Sequence, residues 1–478
     1  MGESRGDTSK EIDMPKRAKR FFALGEVGDN VAYQTFSFLI FTYYFTVIGL
    51  DVRWISVGFI IWSFWNAIND NLIGNLSDRT KSRLGRRRPW MIAGAIPLAI
   101  MMVLLFTPPP GNTPSDKIIQ FVYFTCVLFM FDGVYSLFNV NYNALFSEMF
   151  LSMKDRSEVG RLRSMLVVVA LVLAFVMPSI IIEDIANDRG LPYTASQYIL
   201  SGFLAGIIVI VIYTLVIKFG VKERVEFSRD SESALSFGAS VKQTFRNKSF
   251  RIFLIAGFAY WICNGIIPSM FPLFATYALG INKNDSVMSG ILLLFSFIVG
   301  AVTMPVWTKI RQVKGARYVG IVALAWWAGS LLVLMMAWDL QSGFVAMVFV
   351  GFGTGGSIYF YDQCIAEIID EDEVNLGTRR SGAYYGVITF IIRLSTIANY
   401  LVVGLTFSGA GWSVFGPGSV GPDQVNLLRI LIGVYPAIVL AIGLVALWKY
   451  PIHGKKLQEI REKLDALHAK KRSAVPPA

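Results

Sequence analysis

The sequence predicts an all-α, polytopic membrane protein. Three observations carry that prediction: apolar blocks of spanning length recur along the whole chain, the mean hydropathy is +0.53, and only 16% of residues are charged. A hydrocarbon core about 30 Å thick needs about 20 apolar residues per helix. Twelve such spans can be read, at 22–48, 53–76, 89–107, 117–147, 160–183, 196–219, 249–278, 286–308, 318–338, 341–369, 381–408 and 424–449.

The longest internal polar stretch, VKERVEFSRDSESALSFGASVKQTFRNK, divides these spans six and six. The expected organisation is therefore a tail over 1–20, a six-helix half over 21–219, a linker over 220–248, a second half over 249–450 and a tail over 451–478. A weak repeat supports two pseudo-symmetric halves. Shifting by 230 residues sets Thr308 on Asp78, Lys309 on Arg79, Gly315 on Gly85 and Arg317 on Arg87. Paired halves around a site near the midplane are the architecture of many secondary transporters.

Charge settles the expected orientation. With the N-terminus inside, 38 of the 44 Lys and Arg residues fall in the inside segments. Only Arg53, Lys117, Arg189, Lys283, Arg393 and Arg429 lie elsewhere. Both termini are expected in the cytoplasm, in a bacterial inner (plasma) membrane. The net charge of +11 thus reads as a topology signal, and a nucleic-acid role is excluded. The first block is too long for a signal peptide and reads as a membrane helix. Cys126, Cys263 and Cys364 stand in separate spans without metal-ligand spacing and read as packing residues.

Function should then reside in polar residues at membrane depth. Asp70 lies eight residues before Asp78, about 12 Å along a helix. An ionisable group there costs about 2.5–3.5 kcal/mol and so pairs or faces a cavity. Asn66, Asn69 and Asp70 share one helix face at i, i+3 and i+4, an oxygen-rich set suited to a hard monovalent cation or to protonation of the carboxylate. Arg393, thirteen residues beyond Arg380, is too deep to snorkel. It is expected to neutralise Asp70 when the cation is absent.

Other embedded polar groups are Glu26, Asp29 and Asn30 in span 1, Asp132, Ser136, Asn139, Asn141 and Asn143 in span 4, and Tyr359, Tyr361, Asp362 and Gln363 in span 10. With Trp65, Tyr260 and Trp261 they suit a cavity for a polyhydroxylated ligand. Both histidines, His453 and His468, are in the C-terminal tail, so proton coupling must use carboxylates. That tail also spaces Leu457, Ile460, Leu464 and Leu467 as an amphipathic helix, expected on the inner membrane surface.

The segments WNAINDNLIGNLSDRTKSRLGRRRPW, LGEVGDNVAYQTFSFLIFTYYFTVIGL, YSLFNVNYNALFSEM and DEDEVNLGTRRSGAYYGVITFIIRLS follow one another in order. Together the chain resembles, over essentially its whole length, the glycoside-pentoside-hexuronide:cation symporter family of the major facilitator superfamily, whose best-known member is the melibiose permease. The resemblance implies the major facilitator fold with twelve transmembrane helices, and transport by alternating access. It implies a cation site at Asn66, Asn69, Asp70 and Ser136, with Arg393 in the place of the family's helix-11 lysine. Sugar-site positions are implied for Asn30, Asn139, Asn143 and Arg163, beside Asp29, Glu26 and Tyr359.

The chain departs from the family pattern where better-studied sugar symporters place acids and this sequence has Asn30, Asn66 and Asn139. The departure leaves the coupling ion open between Na⁺ and H⁺, and with Arg163 and Arg393 it tilts the cavity toward an anionic ligand such as a hexuronide, a glucuronide or a sulfonated sugar. The loop SDRTKSRLGRRRP resembles the superfamily's gating loop, with Asp78, Arg79, Gly85 and Arg86 forming its turn and Glu367 of span 10 as its expected partner.

The expected function is cation-coupled symport of a sugar or glycoside, by a monomer, with no cofactor and no metal beyond Na⁺. The alternative is cation-dependent transport of a lysophospholipid or similar amphipathic lipid, which 36 Phe residues would suit. An enzyme acting on lipid-linked sugars ranks behind both, because no nucleophile with a nearby base and no paired acids in a water-facing loop can be found.

Overall fold

Helices carry the chain, and no strand occurs among the described residues. The computed structural model describes residues 14–150, 153–187, 189–222, 244–281, 285–377, 381–416, 418 and 420–473. Most of the expected linker, and the ends of both expected tails, lie outside the described residues.

In chain order the helices are α1 (Lys16–Ala23), α2 (Gly25–Thr42), α3 (Val52–Asp78), α4 (Arg88–Leu104), α5 (Pro114–Met149), α6 (Asp155–Ile181), α7 (Thr194–Gly220), α8 (Lys248–Tyr277), α9 (Ser286–Lys314), α10 (Ala316–Met336), α11 (Leu340–Leu376), α12 (Ser381–Gly409), α13 (Pro422–Trp448) and α14 (Gly454–Ser473). Short polar residues start them. Asp51 accepts from the Arg53 amide at 2.8 Å before α3, Asn247 from the Phe250 amide at 3.0 Å before α8, and Asp339 from the Ser342 amide at 2.8 Å before α11. Each such cap is worth about 1 kcal/mol. Thr113 and Asp116 form a reciprocal capping box before α5.

Pro97, Pro268, Pro272 and Pro305 lie inside helices, as neighbouring membrane helices allow. Single π turns interrupt α6 and α13, end α7 over Val216–Gly220 and extend α2 over Tyr43–Val47.

Nine helices among the described residues, α5 to α13, are long and apolar enough to cross a membrane. The sequence reading of twelve adds α2, α3 and α4. Of these, α4 has 17 residues, and α3 is diluted by Asn66, Asn69, Asp70, Asn71 and Asn75. Even so, α3 turns Phe64, Ile68, Leu72 and Leu76 outward at helical spacing, the pattern of a lipid-facing stripe.

Helices α2 to α7 pack among themselves, and so do α8 to α13. In the second set Gly355 lets α11 reach the backbone of α9, where a Cβ would meet the Gly300 carbonyl oxygen at 2.4 Å. Arg429 donates to the carbonyls of Met335, Ala337 and Ala278, binding the ends of α8 and α10 together. In the first set Lys117 of α5 donates to the Ile48 carbonyl at the end of the α2 extension.

The two sets meet through α3 with α12, α2 with α8, and α6 with α9. Bonds between them concentrate at the end carrying the Asp51, Glu183 and Trp412 connections. The Val52 amide donates to Ser413 O at 2.8 Å, and Ser286 of α9 accepts from the Ile185 amide at 3.0 Å while donating to Glu183 O at 2.9 Å. Below them an aromatic seam stacks Phe59 on Tyr400 at 3.7 Å between ring centres and sets Phe45 against Phe407 and Trp412. Gly290 of α9 meets the Phe175 carbonyl of α6 so closely that a Cβ would lie 2.3 Å from its oxygen.

Helix α14 exists as expected but is not free on a surface. Lys456 pairs with Glu371 of α11 at 2.5 Å, and Ile460 is buried. Its apolar face finds protein as its partner.

Candidate cation site and cavity

On α3 the i, i+3, i+4 spacing does put Asn66, Asn69 and Asp70 together, and α5 supplies the facing groups. Ser136 donates to Asp70 Oδ1 at 2.6 Å and accepts from Asn69 Nδ2 at 2.9 Å. Asn69 also donates to Asp132 Oδ2 at 3.1 Å and to its carbonyl at 3.2 Å, while the Asn66 amide donates to Asp132 Oδ1. From α12, Arg393 Nη2 reaches Asp70 Oδ2 at 3.3 Å. Two carboxylates thus flank an amide–hydroxyl bridge.

Asp132 joins this cluster, although the sequence assignment left it out. Its signal was the i, i+4 relation to Ser136 on one helix face. The position implied to have lost its acid, Asn66, therefore contacts an acid from the next wall. Asp132 is 2% exposed, and its two amide donors offset the cost of burying a carboxylate. Asn66 Oδ1 and Arg393 Nε are buried without partners. An orphaned amide oxygen beside two carboxylates and a hydroxyl fits a hard monovalent cation, as oxygen ligands require. Among the described residues no group of three or more His, Cys, Asp or Glu forms a metal cluster.

The positions implied for the sugar form a second network. Arg163 of α6 pairs with Glu26, its Nε lying 2.5 Å from Oε1, and donates to Asn143 Oδ1 at 2.9 Å. Asn30 donates to Glu26 Oε2 at 3.1 Å, Asn139 to Asp29 Oδ1 at 2.7 Å, and Asn143 to the Asn139 carbonyl at 3.1 Å. The Arg163 guanidinium also stacks on Tyr142 and Phe146, 5.0 and 4.8 Å from the ring centres.

Tyr33 and Tyr135, whose rings are 5.7 Å apart, lie between this network and Arg393. Tyr359 is not brought in. It is half-buried on α11 and makes no hydrogen bond to this network among the described residues. Both arginines expected to attract an anion already hold carboxylates, Glu26 and Asp70.

At the opposite end from the seam, Asp78 pairs with Arg87 at 2.8 Å and lies 3.9 Å from Arg86. Glu148, at the end of α5, takes both arginines at 2.7 and 2.8 Å. Gly85 makes the turn at φ +98°, where only glycine is comfortable, and Arg79 closes α3 as an exposed residue. Glu367 is not the partner of this loop. It faces Arg311 of the last turn of α9 at 3.7 Å. Gly315, between α9 and α10, turns at φ +85° in the register of Gly85, and the end of α9 is tied to α11 as the loop after α3 is tied to α5.

A groove of about 650 Å³ opens between α3 and α12, lined by Ala67, Ile68, Leu72, Val387 and Phe390 with Asn71 and Asn75 at its wall.

A helical bundle in two sets, sealed at one end above acids held within the bundle, defines a membrane transporter of the major facilitator fold. Solved structures with that fold include the nucleoside transporter NupG, with a TM-score of 0.64 at 14% identity over 91% of this chain and 100% of that one. A bacterial homolog to the human lysosomal transporter Spinster, inward-facing and occupied, has a TM-score of 0.64 at 13% identity over 93% and 98%. The family model for MFS/sugar transport proteins matches residues 21–454, and the chain belongs to that family.

Similar proteins are symporters. An uncharacterized symporter of Synechocystis is 23% identical, covering 94% of this chain and 96% of its own. The glucuronide carrier protein homolog of Escherichia coli is 22% identical over 93% and 94%. The sodium-dependent lysophosphatidylcholine symporter 1 of Mus musculus is 24% identical over 94% and 88%.

Proposed function

We propose that the protein is a cation-coupled symporter of a sugar or glycoside, driven by Na⁺ or H⁺ and working by alternating access. The observation that carries this reading is the bridge Asp70–Ser136–Asn69–Asp132, held by Arg393 from the other helix set. Arg393 and a cation compete for the same carboxylate. When the cation enters, Arg393 is released and the tie between the sets changes, which links ion occupancy to movement of one set against the other.

Twelve spans in two halves, both termini cytoplasmic, a monomeric state and a bacterial inner membrane complete the reading. The seam then lies outside. A neutral polyhydroxylated ligand suits the Glu26, Asp29, Asn30, Asn139 and Asn143 network, which offers hydroxyl acceptors and amide donors while its arginine is already paired. The glucuronide carrier relative supports including anionic glycosides in the test.

The test is uptake of radiolabelled methyl glycosides and glucuronides into proteoliposomes under an imposed Na⁺ or pH gradient. Gradient-driven accumulation that Asp70→Asn abolishes is expected. Accumulation unchanged in Asp70→Asn would remove the basis of the proposal.

One observation favours a second reading, a lysolipid or similar amphiphile. The apolar groove between α3 and α12 has room for an acyl chain, and relatives include sodium-dependent lysophosphatidylcholine symporters. Saturable, cation-dependent lysolipid uptake without sugar uptake would decide for it.

A further inference from the structure

Asp362 lies within α11, five residues before Glu367, and its side chain is exposed. Among the described residues it forms no hydrogen bond and no ion pair. The other acids at comparable depth are engaged: Asp70 by Ser136 and Arg393, Asp132 by Asn66 and Asn69, Asp29 by Asn139, and Glu26 by Arg163 and Asn30. An ionisable residue at membrane depth left without a protein partner is retained where it meets water or ligand.

Its neighbours say which side of α11 it occupies. Asp362 directly follows Tyr361, which faces Tyr260 of α8. Helix α8 is the second-set helix that packs on α2 of the first set, so a group beside Tyr260 sits toward the midline. There Tyr260 stacks on Tyr361 at 4.9 Å, and the Trp261 indole N–H donates to the Tyr361 hydroxyl at 3.0 Å. This leaves a locked aromatic platform that includes a half-exposed Trp261 and the residue preceding the open carboxylate.

We infer that Asp362 is a specificity-determining substrate contact contributed by the second half: its carboxylate accepts hydroxyl groups of a polyhydroxylated ligand resting on the Trp261 edge of the aromatic platform, and it disfavours a carboxylate-bearing ligand at that position. The inference rests on the sugar reading above. It adds what that reading lacks, an acceptor on the wall opposite Glu26 and Asn143. A carboxylate accepting two hydroxyls makes charge-assisted bonds, and an aromatic face suits the apolar side of a sugar ring.

Two measurements test it. In a background with Cys126, Cys263 and Cys364 replaced by serine, Asp362→Cys should react with a membrane-impermeant thiol reagent in inside-out vesicles, and a neutral methyl glycoside should slow the reaction by at least about threefold. No reaction places the side chain against lipid and overturns the inference. Asp362→Asn, the conservative variant, should lower the ratio of neutral methyl glycoside to methyl glucuronide uptake at least about fivefold while leaving the cation dependence unchanged. If wild type carries glycosides and Asp362→Asn keeps the same ratio and KM, this inference fails alone. If wild type carries and binds neither sugar class, the sugar reading fails and takes the inference with it.

Discussion

Arg393 on α12 donates to Asp70 on α3 across 3.3 Å, and Ser136 on α5 holds the other oxygen of the same carboxylate at 2.6 Å. One carboxylate therefore answers to both helix sets. Removing Arg393 frees Asp70 for the cation and also cuts the tie between the sets. Arg393→Ala is expected to bind the coupling cation about three- to tenfold more tightly while losing gradient-driven accumulation. Arg393→Lys should keep part of the coupling. Cation titrations of thermal stability, run beside uptake, check both halves of the statement. Unchanged coupling in Arg393→Ala would show that the pair is only structural.

The acids themselves should behave as one unit. Asp70→Asn and Asp132→Asn are each expected to reduce cation-driven uptake at least about tenfold, and the double variant should be little worse than either, because residues in one network do not add. Substrate exchange without a gradient is the readout that separates lost coupling from lost folding. Additive losses would place Asp132 outside the cation site.

Glu148 holds Arg86 and Arg87 together, with 23% of its side chain exposed, whereas Asp78 is 41% exposed and closes on Arg87. Glu148→Gln should lower stability by about 1–3 kcal/mol, since it removes the negative charge that two largely buried guanidinium groups share. Asp78→Asn should cost less, because exposed pairs contribute about 0–1 kcal/mol. Thermal melts in detergent give the order, and a larger loss in Asp78→Asn would contradict it.

The Tyr193 hydroxyl, 2.8 Å from Glu183, and then Arg189 hold the Glu183 carboxyl below the usual glutamate range. A carboxyl depressed in the folded state stabilises the fold above its unfolded pKa and loses that contribution as pH falls through its folded pKa. Stability should decline below about pH 4.3, and Tyr193→Phe should flatten the decline. Melting temperatures between about pH 3 and 6 measure it. Equal slopes in wild type and Tyr193→Phe would assign the acid loss elsewhere.

Much of this was legible because depth and spacing are one-dimensional. Asp70 and Arg393 stand out as charges far from any polar flank, and Asn66 and Asn69 follow from the helical period. The repeat that aligned Gly315 with Gly85 appears as two left-handed turns. What the sequence hides is which helix face meets which. Asp132 was visible as an embedded acid, yet nothing along the chain says that α5 turns it toward Asn66. Glu367 is found with another partner for the same reason: its charge is evident, but only the packing of α9 on α11 brings it to Arg311 at the end of α9. Nor does the chain alone say that Arg163 and Arg393 each find a carboxylate inside the protein.

The Arg429 clamp on the carbonyls of Met335, Ala337 and Ala278, with its smaller counterpart from Lys117 to Ile48, has a kinetic consequence. Each helix set is riveted at the sealed end, so reopening there has to part the contacts between the sets, Phe59 on Tyr400, Val52 with Ser413 and Ser286 with Glu183 and Ile185. Turnover is then a property of that narrow contact, and trimming a single ring there should change how fast the molecule cycles without changing what it carries.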